Sequence, residues 1–403
     1  MTAAEAAERL GVKRATLYAY VSRGLLTSLP GEGREHHYLA ADVERLRIRA
    51  AARAGHAPVA AGALRFGEPV IESALTAITP DGPAYRGRLA TALAAADTTF
   101  EAVADWLWDA EDGDGWGARD LGGLPFDAVR AQLGAGSTPL DAVRLALAFA
   151  DVDGALDGPL APRVEHDRAR ALVRRLAAAA GRPRTPRAAG ALAHDGVARV
   201  LVTALGGEDA ARADVVAAVN RALVLTADHE LNVSSFTARV VASTGATLTA
   251  SLQAAAAALS GARHGGVCAQ VEQLLDEAAA LPDPAQVVKR RHARGETIPG
   301  MGHPLYPGGD PRGRALIAWA VALGGDAPGV RAVSRIVDAM AAAGLPAPTL
   351  DLGLVAVAEA GRLPRGSAAA IFAVGRSVGW IAHALEQRSA SHLLRPRARY
   401  VGP

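Results

Sequence analysis

The residues of this chain best suited to chemistry stand on its breaks rather than inside its apolar runs. The densest break is GMGHPLYPGGDPR, residues 300–312, where four glycines and three prolines surround His303, Asp310 and Arg312. Glycine and proline at this density interrupt both helix and strand, and Pro304 biases His303 toward an extended backbone. A plain surface loop fits these residues, and so does a loop that holds an imidazole and a guanidinium for chemistry. In GARHGGV, residues 261–267, His264 directly precedes two glycines, where the backbone can bend sharply and approach a ligand. A lone histidine on a turn also serves structure. In PTLDLGLVAVAE, residues 348–359, Asp351 stands between leucines ahead of a long apolar run, the position of a helix cap. In TADHELNVSSFTARVVAST, residues 226–244, His229, Glu230, Asn232, Ser234, Ser235 and Thr237 crowd the start of an otherwise apolar helix, which is also how an elaborate cap reads. Imidazoles and carboxylates move protons, and guanidinium groups grip carboxylates. His264, His303 and Asp351 become one site only if the fold brings three separate breaks together.

The elements that must do so are helices. From about residue 64 the pattern predicts helices over residues such as 100–109, 140–150, 197–205, 210–227 and 248–259, separated by breakers or polar turns, with no run of alternating strands. Half of the residues are hydrophobic but only 4% are aromatic, and alanine runs at 177–180 and 254–258 supply much of the apolar count, which favours closely packed helices. AAAAGRPRTPRAAGA and DGDGWGARDLGG read as loops or connections. A chain of 403 residues has room for roughly two or three domains.

Composition also excludes some classes. A formal net charge of +2 gives no case for nucleic-acid or membrane binding by the chain as a whole, so any basic patch is local. Lys13 and Lys289 are the only lysines, and nearly all positive charge is arginine. The single Cys268 excludes an intrachain disulfide and a cysteine-based zinc cluster, and no metal site is expected. No signal peptide and no uninterrupted apolar run of membrane-spanning length is evident, so the cytoplasm is the expected compartment and no membrane partner is expected.

The first residues form a separate pattern. Thr2 and Glu5 have capping-box spacing, a short helix runs to Leu10, Gly11 ends it, and a second helix fits residues 13–23. Two short helices joined at LGV match a helix-turn-helix, with Lys13, Arg14, Thr16, Tyr18, Ser22 and Arg23 available to phosphates or bases. Residues 28–38 read as a tight hairpin and residues 40–53 as a third helix with Val43 and Leu46 inward. This order resembles the winged helix-turn-helix of MerR-type regulators. A helical packing or dimerisation module is the alternative, since Glu32 and Glu35 dilute the charge of the wing. RAGHAPVAAGA, residues 53–63, reads as a linker.

The ordered motifs AYRGR at 84–88, ADHELNVSSFTARVVAST at 227–244, GARHGG at 261–266, PGMGHPLYPGGDPR at 299–312, LDLG at 350–353, FAVGRSVGWIAHALEQ at 372–387 and RPRARYVGP at 395–403 carry a family resemblance. From about residue 66 onward the chain resembles the citrate synthases of the bacterial dimeric type. That resemblance implies an all-α fold in which the front module, 1–55, and a linker, 56–63, precede a large domain, 64–265 with 366–403, and a small domain, 266–365. It implies an obligate homodimer with a shared active site. The implied reaction condenses acetyl-CoA, a co-substrate, with oxaloacetate and hydrolyses the thioester, with no permanently bound cofactor. Asp351 matches the family base, His264 the neutral donor to the thioester carbonyl, and His303 the donor that polarises the ketone. His229, Arg312 and Arg376 match the family's carboxylate ligands, and Arg395 matches an arginine contributed across the dimer interface.

One departure concerns the coenzyme. Many relatives place basic residues for the CoA phosphates just after the loop histidine and about three positions on, where this chain has Pro304 and Pro307. The run Lys289, Arg290, Arg291 and Arg294 reads as a substitute or as a solvated helix face, and no coenzyme-binding residue is assigned. His383 and Trp380 read as core, and Cys268 has no partner that would make it a nucleophile. Two rival functions stand beside the synthase: a 2-methylcitrate synthase using propionyl-CoA, because one methylene changes selectivity only modestly, and a metabolite-sensing transcriptional regulator built on a synthase-like body.

Overall fold

The hydroxyl of Thr2 accepts the backbone N–H of Glu5 while the Glu5 carboxylate accepts that of Thr2, so this pair starts α1 (Ala3–Leu10), and Gly11, at φ 64°, ends it. The computed structural model describes residues 1–23, 25–30, 36–39, 42–43, 46, 71–110, 116–117, 126–152, 162–181, 190–206, 210–390 and 392–396. The expected linker at 53–63, Glu32 and Glu35 of the wing, most of 112–123 and residues 397–403 lie outside the described residues. Two compact units result, Met1–Glu72 with Arg395–Pro403, and Ser73–Leu394.

In the first unit, α2 (Arg14–Ser22) is followed by strands β1 (Ser28–Pro30) and β2 (His36–Tyr38), paired antiparallel with Ser28 opposite Tyr38. Ala6, Leu17, Leu26, Tyr38, Val43 and Leu46 form its own small core. Lys13, Arg14, Tyr18, Ser22 and Arg23 face solvent, with Thr16 half-buried. Asp42, Val43 and Leu46 are helical, with Val43 and Leu46 inward as predicted.

The second unit opens on an element that the pattern did not predict, an antiparallel sheet of β3 (Thr76–Thr79), β4 (Gly82–Tyr85) and β5 (Arg88–Leu89). Strands of two to four residues are too short to show alternation. Arg86 and Gly87 between β4 and β5 have φ of 43° and 86°, the positive pair of a primed hairpin turn. The helices follow: α3 (Ala90–Ala95), α4 (Phe100–Trp108), α5 (Phe126–Gln132), α6 (Pro139–Val152), α7 (Pro162–Ala179), α8 (Val197–Gly206), α9 (Ala213–Thr226), α10 (Val233–Ala242) and α11 (Leu248–Leu259). After them come α12 (Val267–Ala279), α13 (Gln286–Ala293), α14 (Pro311–Gly324), α15 (Pro328–Ala342), α16 (Leu350–Ala360) and α17 (Ser367–Ala390). Residues 177–179, read from the sequence as part of a connection, instead finish α7 in the core, because an alanine run is helix-prone and apolar.

The long helix α17 is the axis of this unit. By length and apolarity it alone among the described helices could cross a membrane, but 89% of its apolar window is buried inside the body, which makes it a core helix. Arg376, Ser377, His383 and Gln387 are buried on it, so its polar residues face protein partners. Helices α9 and α10 pack on its flanks, and α14 crosses α16 closely.

Candidate active site

The loop at 300–310 is strapped to the segment that leads into Asp351. Gly302 N–H donates to the Ala347 carbonyl at 2.8 Å, Thr349 N–H donates to the Gly300 carbonyl at 2.8 Å, and Met301 pairs with Pro348 as an antiparallel bridge. Asp310 then caps α14, with Pro311 following it at the helix start. Its Oδ1 accepts the N–H of Arg312 at 3.0 Å and its Oδ2 that of Leu350 at 3.3 Å, so one buried carboxylate ties together the starts of α14 and α16. The crossing needs Gly313, since a Cβ there would stand 2.3 Å from the Thr349 carbonyl oxygen.

Arg312, 2% exposed, donates to both oxygens of Asp310, Nε at 3.0 Å and Nη2 at 2.8 Å. Burial opposes its charge, and the Asp310 carboxylate more than offsets that. Its Nη1 is buried without a hydrogen-bond partner among the described residues, an arrangement that calls for an acceptor.

His303 lies beside this fork. Leu305 N–H donates to its Nδ1 at 3.1 Å, so Nδ1 is the acceptor and the neutral ring carries its proton on Nε2. Tyr306, which the sequence did not single out, packs between the groups: its hydroxyl is 2.9 Å from His229 Nε2, its ring centroid 5.1 Å from that of His303, and the Arg312 guanidinium 5.7 Å from its centroid. The rings of His229 and His303 meet edge-on at 5.4 Å. His229 follows the end of α9, where Glu230 at φ 54° turns the chain. The Tyr85 hydroxyl of the AYRGR motif fastens this exit, within reach of the Val224 and Asp228 carbonyls at 3.0 and 3.2 Å.

Helix α17 supplies the next side. Gly379 N–H donates to the Ala227 carbonyl at 2.9 Å, and a Cβ on Gly379 would meet that oxygen at 2.4 Å, so only glycine admits this approach. One turn earlier, Arg376 Nε donates to the Thr226 carbonyl at 2.7 Å. Burial lowers the Arg376 pKa to about 10, with Asp228 working against that fall and Arg312 adding to it. Phe372 packs against Arg376 at 5.1 Å and meets the His264 ring edge-on at 5.8 Å. His383 and Trp380 are fully buried, as expected, but as polar partners: His383 Nε2 is 3.3 Å from Asp228 Oδ1, and Trp380 Nε1 donates to Ser234 Oγ at 3.0 Å.

His264 Nε2 is 2.8 Å from Ser234 Oγ, which leaves Nδ1 as the ring nitrogen for a ligand. Asn232 caps α10 through its side-chain oxygen, so the cap reading of residues 226–244 holds for Asn232, while His229 and Ser234 belong to the site. Asp351 is in the first turn of α16, and Thr349 rather than Asp351 occupies the cap position. The Thr349 hydroxyl is 3.3 Å from Asp351 Oδ2, and Cys268 Sγ is 3.5 Å from Oδ1. The cysteine thus has the Asp351 carboxylate for a partner, and burial beside that negative charge pushes the thiol well up, so it stays protonated rather than becoming a nucleophile.

Burial raises the Asp351 carboxyl to about 6 and lowers His264 to about 4. His229 and His303 are lowered by burial and by Arg312. At neutral pH the site therefore holds three uncharged imidazoles, two guanidinium ions and two carboxylates, Asp351 and the Asp310 that pairs with Arg312. Their fields interlock: Arg312 and Arg376 act on His229, Arg376 on His264, and Arg312 on Asp351, which gathers His229, His264, His303, Arg312, Asp351 and Arg376 into one cluster within Ser73–Leu394.

Arg395, expected to serve a partner's site, is exposed after α17 and groups with Met1–Glu72. On α13, Arg291 pairs with Glu277 and the following Arg294 with Glu296, while Lys289 and Arg290 face solvent, as a solvated helix face does. Of the residues the sequence did not mark as site residues, Asp310 had a signal, an Asp-Pro pair at a helix start. Tyr306 and Cys268 had none.

The family model described as "Citrate synthase, C-terminal domain" matches residues 65–397, and "Helix-turn-helix domain" matches residues 1–49. A putative citrate synthase 2 of Mycobacterium tuberculosis is 40% identical over 196 residues, 47% of this chain and 52% of that protein. A citrate synthase 2 of Bacillus subtilis is 35% identical over 211 residues, 52% of this chain and 56% of that protein. Proteins named 2-methylcitrate synthase also match. The chain spans about half the length of these relatives. A citrate synthase of Thermoplasma acidophilum, solved with carboxymethyl coenzyme A and oxaloacetate, superposes with a TM-score of 0.70 over 83% of this chain and 94% of that one, at 23% identity, a likeness of fold. With the family model covering 65–397, the chain belongs to the citrate synthase family.

Proposed function

We propose that the chain is a citrate synthase, an acyltransferase that joins the methyl carbon of acetyl-CoA to the ketone carbon of oxaloacetate and hydrolyses the thioester to citrate and CoA. The observation that carries this reading is the cluster itself: a carboxylate at about 6, neutral imidazoles, and two buried guanidinium groups, one with a nitrogen that has no partner among the described residues. Asp351 takes a proton from the methyl carbon, and His264 donates to the thioester oxygen on which charge grows. The methyl carbon attacks the ketone carbon while His303 donates from Nε2 to the ketone oxygen. Water then cleaves the C–S bond and CoA leaves as the thiol. His229, Arg312 and Arg376 hold the oxaloacetate carboxylates, joined by Arg395 of the partner subunit in a cytoplasmic homodimer. The lobes 64–265 with 366–403, and 266–365, close over the substrates and exclude water. No resident cofactor or metal is required.

Relatives carry both synthase names, so propionyl-CoA as donor, giving 2-methylcitrate, is the second reading. The helix-turn-helix match supports a metabolite-sensing regulator, and the assembled catalytic set favours an enzyme. Release of free CoA from acetyl-CoA and from propionyl-CoA, with and without oxaloacetate, separates all three. Oxaloacetate-dependent release with acetyl-CoA preferred is expected. Preference for propionyl-CoA assigns the second reading, and no release from either donor rejects both synthases.

A further inference from the structure

Cys268 has no part in the proposed reaction, yet it touches the proposed base. It stands in the first turn of α12, four residues after His264, so the turn that carries the imidazole also delivers the thiol. The side chain is 1% exposed and its sulfur is 3.5 Å from Asp351 Oδ1, while the Thr349 hydroxyl is 3.3 Å from Oδ2. Burial beside a carboxylate keeps the thiol protonated, so sulfur is the donor and Oδ1 the acceptor. Each oxygen of the carboxylate thus has a side-chain donor, and together the two fix the rotation of the group.

We infer that Cys268 is a positioning residue for Asp351, its S–H holding Oδ1 while Oδ2 stays with Thr349, so that the carboxylate presents one fixed edge to the substrate. The inference rests on the reading of Asp351 as the base. A thiol is a weak donor, and it anchors the carboxylate with less stabilisation of the anion than a strong donor would give. The charged groups that act on this pair are Arg312 from α14, Arg376 from α17 and Glu272 from α12, and substitution at 268 leaves all three in place.

The test compares the pH profile of kcat/KM in the full-length wild type, Cys268→Ala and Cys268→Ser. Losing the donor moves the acid limb of the alanine variant up by about half a pH unit and lowers plateau kcat, with the KM for oxaloacetate unchanged. Serine restores a donor and keeps the limb at or below that of the wild type. An alanine limb that coincides with the wild type, or a serine limb above it, overturns the inference; the serine variant alone decides if the alanine variant does not fold. Asp351→Asn is measured alongside. If it stays active, the base assignment has failed; if it is inactive while the limbs do not move, only the role of Cys268 has failed.

Discussion

Ser234 Oγ lies 2.8 Å from Nε2 of His264, and it has a single proton to give. Trp380 Nε1 can only donate to Ser234, at 3.0 Å, and Asn232 Oδ1 can only accept, at 2.7 Å. Asn232 Oδ1 already takes the backbone N–H groups of Ser234 and Ser235 as a helix cap. When the hydroxyl turns to His264, Nε2 accepts and the ring carries its proton on Nδ1, the form able to donate to a thioester oxygen.

Ser234→Ala therefore lowers kcat on the order of 10-fold, the value of one hydrogen bond, and leaves the KM for oxaloacetate nearly unchanged. Steady-state kinetics with both substrates varied separately check this. An unchanged kcat would show that the tautomer of His264 does not depend on Ser234.

The raised carboxyl of Asp351 makes two pH predictions. A base must be ionised, so condensation falls as pH drops through about 6, while His264, at about 4, adds nothing above pH 5. For stability the sign is the reverse of the usual carboxylate case. The folded carboxyl holds its proton more tightly than the unfolded one, near 3.9, so stability declines as pH rises from about 4 to about 6 and stays lower above that. Asp351→Asn removes this penalty and gains on the order of 3 kcal/mol over the wild type at pH 8, with little gain at pH 4. Calorimetry at the two pH values decides, and equal melting temperatures at pH 8 would count against the burial of this charge.

Much of this site was legible as residue types on breaks. His264, His303, Arg312 and Asp351 stood out because glycine, proline and polar residues interrupt apolar helices there, and helix positions followed from 3.6-residue periodicity. Tyr306 was not legible, because a tyrosine in a Gly/Pro loop has no period, and its role comes from folding back on His303 and His229. Cys268 and Asp351 are 83 positions apart and meet only because α12 and α16 pack together. The strands at 76–89 escaped because pieces of two to four residues carry no alternation, and their turn is set by the backbone of Arg86 and Gly87.

If Arg395 serves the partner's site, Arg395→Ala and His264→Ala are each inactive as homodimers. Mixed dimers place both changes in one site and leave the other intact, so co-refolded mixtures regain activity. Proven heterodimers without activity would mean that the site is not shared.

The front module has its own core, so its removal should leave the site alone. A chain lacking residues 1–55 keeps kcat/KM within about twofold of the full chain, well inside the ~1.4 kcal/mol that a tenfold loss represents. Selection from random duplex DNA with the full chain tests the exposed face of α2. Enrichment of one palindrome, weakened by salt and lost on Arg14→Ala and Arg23→Ala, assigns it to DNA; no enrichment assigns it to packing.

The most direct measurement is kcat/KM for oxaloacetate-dependent CoA release by the wild type and by Asp351→Asn, with a sizing run to show that the fold and assembly are kept. A carboxamide cannot accept the methyl proton, so a fall of about 10²-fold or more is expected. Retention of more than about a tenth of the wild-type value would contradict Asp351 as the base and, with it, the proposed condensation chemistry of this cluster.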